Sequence, residues 1–502
     1  MDHSPSPRSL SWTSLVVLTL LAALVEAMIL FPSTLLPTTR FAAALSWDAS
    51  RHDYPSPETP AGETPATPEA VTPTTPAPQA PAAVAPAARR GDARAITGRV
   101  LDAATGAPLR GASIWAGPTE NVTNAEGRFT TAPIEPGATV WVKTPGYERK
   151  KLTGGEGTAA VTVKLAPHPV RAAYLTYYGV ADRTIRQRVF DLVERTELNA
   201  VVIDIKGDRG LIPYRTSVQA ALDAGALGPV IIKDFDEQLA AWKARGIYTI
   251  ARIVAFKDNV RAMTRPDLAV IDTRTGKPWI DRENLAWVDP FREENWDYVI
   301  AVAKEAALKG FDEIQFDYVR FPTDGKLAAA RYSQPNSPAT RLPAIAGFLA
   351  KARRELGPTG VFLAADIFGY TAFNTNDTDI GQRIEEISVS LDYICPMVYP
   401  SGYHLGIPGV RNPMVNPYEI VKESVRLTRQ RSQNPAAQVR PWLQDFKDYA
   451  FDKRIFGPGE VRAQIRGSDD GGGSGWMLWN PKNDYTGAAL RPKTSAISKS
   501  SQ

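Results

Sequence analysis

The side chains able to do chemistry recur at one kind of place, the ends of apolar runs. Asp204 and Lys206 close the run that begins at Ala200, and Arg252 lies in the run from Ile247 to Ala255. Asp317, Tyr318 and Arg320 close the run from Glu313, and Asp366 closes the one from Gly360. Tyr399 and His404 follow Tyr393, Trp442 falls in Gln438–Leu443, and Trp479 and Asn480 close the run from Gly475. Carboxylates set among aromatic and amide groups suit a sugar polymer. Aromatic faces stack on the C–H faces of sugar rings, while Asp, Arg and Asn bind hydroxyls. Cleaving a glycosidic bond takes two carboxyl groups, one to protonate the leaving oxygen and one to attack carbon or activate water. Asp317 and Asp366 end consecutive runs and are the candidate catalytic pair. Asp204, Lys206, Arg252, Tyr318, Arg320, Tyr399, His404, Trp442, Trp479 and Asn480 are the candidate substrate-binding residues. The competing role for a lone strand-end Asp is a helix cap or an ion pair, and for Asp317 the nearby partner in sequence is Arg320.

Something must bring these run ends together. These runs, preceded by a first one at Ala172–Tyr178, alternate with helix-like stretches at Thr184–Arg195, Asp234–Arg245, Glu293–Leu308, Ala339–Leu356, Asp379–Ser388, Pro417–Arg431 and Gly459–Arg466, which makes eight strands. Strand–helix alternation predicts a parallel sheet. Eight such units fit a (β/α)8 barrel of about 250 residues or more, whose functional residues gather at the C-terminal strand ends. A doubly wound open sheet is disfavoured, because no glycine-rich dinucleotide fingerprint follows the first strand and no phosphate-binding GxxxxGK[ST] loop occurs.

Composition narrows the rest. The 502 residues carry 58 Lys and Arg against 54 Asp and Glu, a net charge of +4, which does not argue for nucleic-acid binding. A single cysteine, Cys395, excludes an internal disulfide and a cysteine-cluster metal site. His3, His52, His168 and His404 show no ligand spacing. No metal and no cofactor is expected.

The 41 prolines are unevenly spread. Leu10–Phe31 is almost wholly apolar, follows Arg8, and precedes Pro32. It reads as an uncleaved membrane anchor, with a cleavable signal peptide as the alternative. From about Ser50 to Arg90 the chain is mostly Pro, Ala, Thr and Glu and suits a semi-rigid stalk. The expected organisation is a cytoplasmic terminus (1–9), the anchor or signal (10–31), a disordered linker (32–94), a small β-sandwich (95–167), the barrel (168–487) and a disordered tail (488–502). On this reading the folded parts are exported and lie outside the cytoplasm, tethered to a membrane, or secreted if the signal is cleaved.

The sandwich rests on short alternating runs with turns between them. Its residues Gly98-x-Val100-x-Asp102-x-x-Thr105-Gly106-x-Pro108-Leu109-x-Gly111-Ala112-x-Ile114, Thr123-Asn124-x-Glu126-Gly127-x-Phe129 and Gly146-Tyr147 resemble the carboxypeptidase-regulatory-like family. That resemblance implies a prealbumin-like accessory domain without catalysis. Trp115 and Trp141 are expected to fill its core rather than to bind carbohydrate.

The segment from about Val170 to Tyr485 resembles a glycoside hydrolase family once catalogued only as a domain of unknown function, within the TIM-barrel glycosidase group. The residues that carry the resemblance are Val202–Lys206, Phe311–Pro322, Ala365–Gly369, Pro396–Ser401 and Trp476–Asn480. It implies Asp317 as nucleophile and Asp366 as acid/base, in an enzyme acting on an extracellular or cell-envelope polysaccharide. Many such families carry Glu where this chain has Asp366. That departure motivates a second expectation, a non-catalytic glycan-binding or envelope-scaffold protein on the same barrel.

Overall fold

The computed structural model describes residues 93–154, 160–228 and 231–493. The apolar segment at 10–31, nearly all of the 32–94 linker and the end of the tail lie outside the described residues. Among the described residues no helix is long and apolar enough to cross a membrane.

Seven short strands open the fold: Thr97–Asp102 (β1), Ser113–Ala116 (β2), Thr119–Val122 (β3), Arg128–Thr130 (β4), Thr139–Lys143 (β5), Lys150–Thr153 (β6) and Val161–Leu165 (β7). They form two sheets, β4-β1-β7 and β3-β2-β5-β6. The sheets enclose a core that includes Val100, Ile114, Phe129, Val140, Val142, Val163 and Leu165. This is the two-layer sandwich that the alternation predicts. It begins a residue earlier than expected, at a bridge between Arg94 and Ile134.

The barrel follows. Its strands are Val170–Leu175 (β8), Ala200–Lys206 (β9), Tyr248–Val254 (β10), Glu313–Asp317 (β12), Phe362–Phe368 (β14), Tyr393–Met397 (β15), Trp442–Gln444 (β17) and Gly475–Trp479 (β18). Two residue pairs, Ile271–Asp272 (β11) and Ala330–Arg331 (β13), make a small antiparallel ribbon. Gln438–Val439 (β16) extends the pairing of β15. Every barrel strand runs parallel to its neighbours in the order β8-β9-β10-β12-β14-β15-β17-β18, and β18 closes on β8. The architecture is a (β/α)8 TIM barrel. Strands such as AVVIDIK in β9 are buried along their whole length, because helices cover the outside and side chains fill the inside. The helices bury one stripe each. Arg183–Arg195 buries Val189, Phe190 and Val193, and its N-cap Asp182 accepts bonds from the amides of Thr184 and Ile185.

Trp115 and Trp141 depart from expectation, for they belong neither to the sandwich core nor to an exposed face. They lie opposite one another on β2 and β5 and pack on the barrel at Gly357 and Gly360. A Cβ on either glycine would come within 2.2 Å of an indole, so this approach needs glycine. Lys143 Nζ donates to Val361 O (2.5 Å) and Asp392 Oδ2 (2.7 Å), and the Gly146 amide donates to the Tyr393 hydroxyl (2.7 Å). Arg353 pairs with Glu120 at 2.5 Å. These barrel partners precede or begin strands. The sandwich therefore plugs the barrel's N-terminal end and leaves the opposite mouth open. At the other terminus, residues 488–493 are not loose as expected. The Arg491 amide donates to Glu197 Oε1 (2.9 Å) and the Lys493 amide to Arg195 O (2.9 Å).

Candidate active site

Strand alternation turns one residue from each barrel strand inward at the C-terminal end. The ring reads Tyr174, Asp204, Arg252, Asp317, Asp366, Met397, Trp442 and Trp479. A cleft of about 380 Å³, open solvent included, lies above it, lined by Arg252, Asp317, Tyr318, Arg320, Phe368, Met397, Tyr399, Trp442 and Trp479. Six of the expected binding residues, Arg252, Tyr318, Arg320, Tyr399, Trp442 and Trp479, thus meet in one place with Asp317.

Arg252 organises the carboxylates. Its Nη1 donates to Asp204 Oδ1 at 2.6 Å, while its Nε and Nη2 donate to Asp317 Oδ2 at 3.1 and 2.5 Å. The ion-pair partner of Asp317 is therefore Arg252, across the sheet, and not the sequence neighbour Arg320. The other oxygen of Asp317 accepts the Tyr318 amide at 2.6 Å. Tyr318 sits at φ +48°, a left-handed conformation costly for a tyrosine, so the backbone after Asp317 is strained in the site. Asp204 stands behind Arg252 and also accepts the Tyr174 hydroxyl at 2.5 Å. Burial raises the pKa of Asp204 against the opposing pull of Arg252.

Asp366 has a different environment. It is 1% exposed and sits at the floor beside the cleft lining. Its Oδ1 accepts the Trp442 indole N–H at 2.8 Å, and its Oδ2 is buried with no hydrogen-bond partner among the described residues. Burial, then the nearby charge of Asp317, pushes its pKa well above the carboxylate range, against Arg252 and the Trp442 bond. Asp317 and Asp366 lie one step past the last paired positions of β12 and β14, Phe316 and Ala365, so they are neighbours on adjacent strands.

Aromatic rings wall the site. Tyr174 stacks on Trp479 with centroids 4.0 Å apart, and Trp442 meets Trp479 edge-on at 5.3 Å. The Arg252 guanidinium lies 5.1 Å from the Trp479 ring. Burial, followed by the charges of Asp366 and Asp317, holds the Tyr399 phenol well above its ordinary pKa.

Three expected binding residues lie elsewhere. Lys206 is fully buried on the outer side of the barrel, paired with Asp258 at 2.8 Å and 5.6 Å from the Tyr298 ring. Asn480 spends its amide on the carbonyls of Asp445 (2.5 Å) and Asp484 (2.6 Å) and shapes a loop. His404 is exposed on the loop after β15, with its ring 6.2 Å from that of Tyr370. Tyr174, Phe368 and Met397 join the site without having been expected. The inward parity that Tyr174 shares with Ala172 was the available signal. Among the described residues no group of three or more His, Cys, Asp or Glu is placed to hold a metal ion.

A family model described as "putative glycosyl hydrolase domain" matches residues 172–485. No curated protein matches the chain. Among solved structures, a hypothetical protein from Ruminiclostridium thermocellum ATCC 27405 is 39% identical, over 39% of this chain and 96% of its own, at a TM-score of 0.34. The PgaB (BpsB) glycoside hydrolase domain from Bordetella bronchiseptica is 14% identical, over 63% of this chain and 95% of its own, at a TM-score of 0.46. The α-L-fucosidase isoenzyme 2 from Paenibacillus thiaminolyticus is 13% identical, over 64% of this chain and 48% of its own, at a TM-score of 0.43.

Proposed function

Because the chain belongs to this glycosyl hydrolase family, we propose that it cleaves O-glycosidic bonds of a polysaccharide, with Asp317 as nucleophile and Asp366 as acid/base. The observation that carries the assignment is the unlike surroundings of two neighbouring carboxyl groups. Asp317 faces a guanidinium fork and an amide N–H, the donors that suit an ionised carboxylate. Asp366 is buried with one oxygen unbonded, and its proton is held tightly. Unlike surroundings of two neighbouring carboxyl groups divide the acid from the nucleophile.

The steps follow. Asp366 gives its proton to the glycosidic oxygen as the carbon–oxygen bond breaks. Asp317 bonds the anomeric carbon, and the leaving sugar departs as an alcohol. Asp366, now a carboxylate, takes a proton from water, whose oxygen displaces Asp317 and restores both groups. Tyr174, Trp442 and Trp479 form the aromatic wall beside the reacting ring. The apolar segment at 10–31 and the proline-rich linker support a tethered enzyme outside the cytoplasm, acting on an extracellular or envelope glycan. Recovery of the full chain in the soluble cytosolic fraction would refute that location.

Asp317→Asn should cut release of reducing ends at least about 100-fold while glycan binding is kept. Arg252 retains Asp204, so the variant should stay folded with some loss of melting temperature. Unchanged turnover would overturn the assignment. A glycan-binding barrel without turnover is the second reading. It is favoured by one observation, that both oxygens of Asp317 already have partners within the protein. Binding by the wild type with no reducing ends released from any polymer would select it.

A further inference from the structure

Arg320 is the cleft's unsettled charge. It is 5% exposed and lines the cleft with Asp317. Its Nη1 donates to Phe321 O (3.0 Å) and Thr323 Oγ1 (3.3 Å), both neutral acceptors. Its guanidinium lies 4.7 Å from the Tyr318 ring, 4.7 Å from Phe368 and 5.1 Å from Trp287. No carboxylate comes within ion-pair distance of it among the described residues.

Most other buried cations near this end of the barrel are neutralised; Arg261 is the exception, held by Asn295 and the Glu294 carbonyl, and it does not line the cleft. Lys206 has Asp258, Lys257 has Asp281 and Glu283, Arg341 has Asp377, and Arg252 is shared between Asp204 and Asp317. A buried cation without a counter-ion is costly, and aromatic faces return only about 0.5–2 kcal/mol. The rings also hold the guanidinium in place, which prepares it for a planar two-oxygen partner.

We propose that Arg320 binds an acidic substituent of the substrate, so that the polysaccharide carries a carboxylate or sulfate on a sugar next to the one Asp317 attacks. A planar guanidinium pairs with either oxyanion through parallel N–H···O bonds. The chain's small net charge of +4 offers no broad attraction for a polyanion. The recognised acid is therefore local, in a polymer of mixed charged and neutral sugars. This inference deepens the hydrolase reading and rests on it for the identity of the cleft.

The test uses the full chain and paired polymers. One arm takes uronic-acid polysaccharides and their carboxyl-reduced counterparts. The other takes sulfated polysaccharides and their desulfated counterparts. Binding and release of reducing ends are measured for wild type, Arg320→Gln, Arg320→Lys and Thr323→Val. The wild type should prefer one acidic form over its neutralised partner by at least about tenfold, and the arm showing it names the anion. Arg320→Gln should erase that preference, Arg320→Lys keep part of it, and Thr323→Val keep nearly all. Equal use of both forms, failure to bind any acidic polymer, or a uniform loss on both forms in Arg320→Gln would overturn the inference. Acid-selective binding with no cleavage would instead sink the hydrolase reading and leave this one standing.

Discussion

Asp366 and Asp392 are buried to nearly the same degree at opposite ends of the barrel. One lies in β14 at the open mouth and the other just before β15 at the plugged end, and they are 1% and 3% exposed. Burial alone raises both, yet they move in opposite directions. Asp392 ends below its ordinary pKa because Lys143 and Arg353 stand against it and the Leu363 amide donates to it at 2.9 Å. Burial pulls Lys143 itself down, with Asp392 opposing. Asp366 ends well above its ordinary pKa because it has a single neutral indole donor and a like charge nearby. The donor set, not the depth, decides the direction. The plugged end spends its carboxylate on holding two domains together, and the open end keeps one carboxyl without a counter-charge of its own.

The same substitution at the two sites should therefore break different things. Asp366→Asn keeps the shape and an acceptor for Trp442 but removes the proton donor. Turnover should fall about 100- to 10,000-fold with the melting temperature unchanged or higher. The sign of the stability change follows from linkage. With its pKa raised in the fold, wild-type Asp366 costs stability as pH rises from the unfolded carboxylate value toward the folded one, and Asn does not. Loss of folding with loss of turnover in proportion would mean that Asp366 is structural.

Asp392→Asn should show the opposite pattern. It leaves Lys143 buried without its counter-charge, while Arg353 keeps Glu120, a loss of roughly 3–5 kcal/mol for a broken buried pair. Denaturant melts should show the drop, and turnover per folded molecule should be near wild type. The pH dependence distinguishes this from ordinary packing damage. Asp392 is depressed in the fold, so its contribution is complete above its unfolded value near 3.9 and is lost as pH falls through the folded one. The variant should lose less stability than wild type on acidification. An unaltered acid limb would contradict the ion pair as the source.

How much of this was legible in the sequence differs by residue. The eight strands and the inward positions of Asp317, Asp366, Arg252, Trp442 and Trp479 follow from apolar run lengths and period-two parity. Lys206 misleads because parity fails there. Between Arg252 and Ile253 the register shifts, so Arg252 pairs with Asp204 and Ile253 with Lys206, and the lysine turns outward. Phe368 and Met397 are apolar and so look like barrel core, while Tyr174 lies ahead of any carboxylate or amide that would mark its strand end, although its parity with Ala172 points inward. Trp115 and Trp141 depend on the docking of two domains, and the glycines that admit them lie more than 200 positions away. Arg320 beside Asp317 looked like its partner, but a strand neighbour reached the carboxylate first.

The smallest effect bears most directly on the comparison, because it alters the donor set of Asp366 and little else. Trp442→Phe removes the indole N–H and keeps an aromatic ring against Trp479 and Tyr174. That hydrogen bond favours the ionised carboxylate, so its loss should raise the pKa of Asp366 still further. The acid works only while protonated, so activity falls as pH rises through this pKa. The alkaline limb of the kcat/KM profile should therefore move upward in Trp442→Phe, with a modest fall in its plateau from lost packing. Asp392, which Trp442 does not bond, should keep its acid-stability limb in place. An alkaline limb that stays put or moves to lower pH would take the acid role away from Asp366, whatever the plateau does.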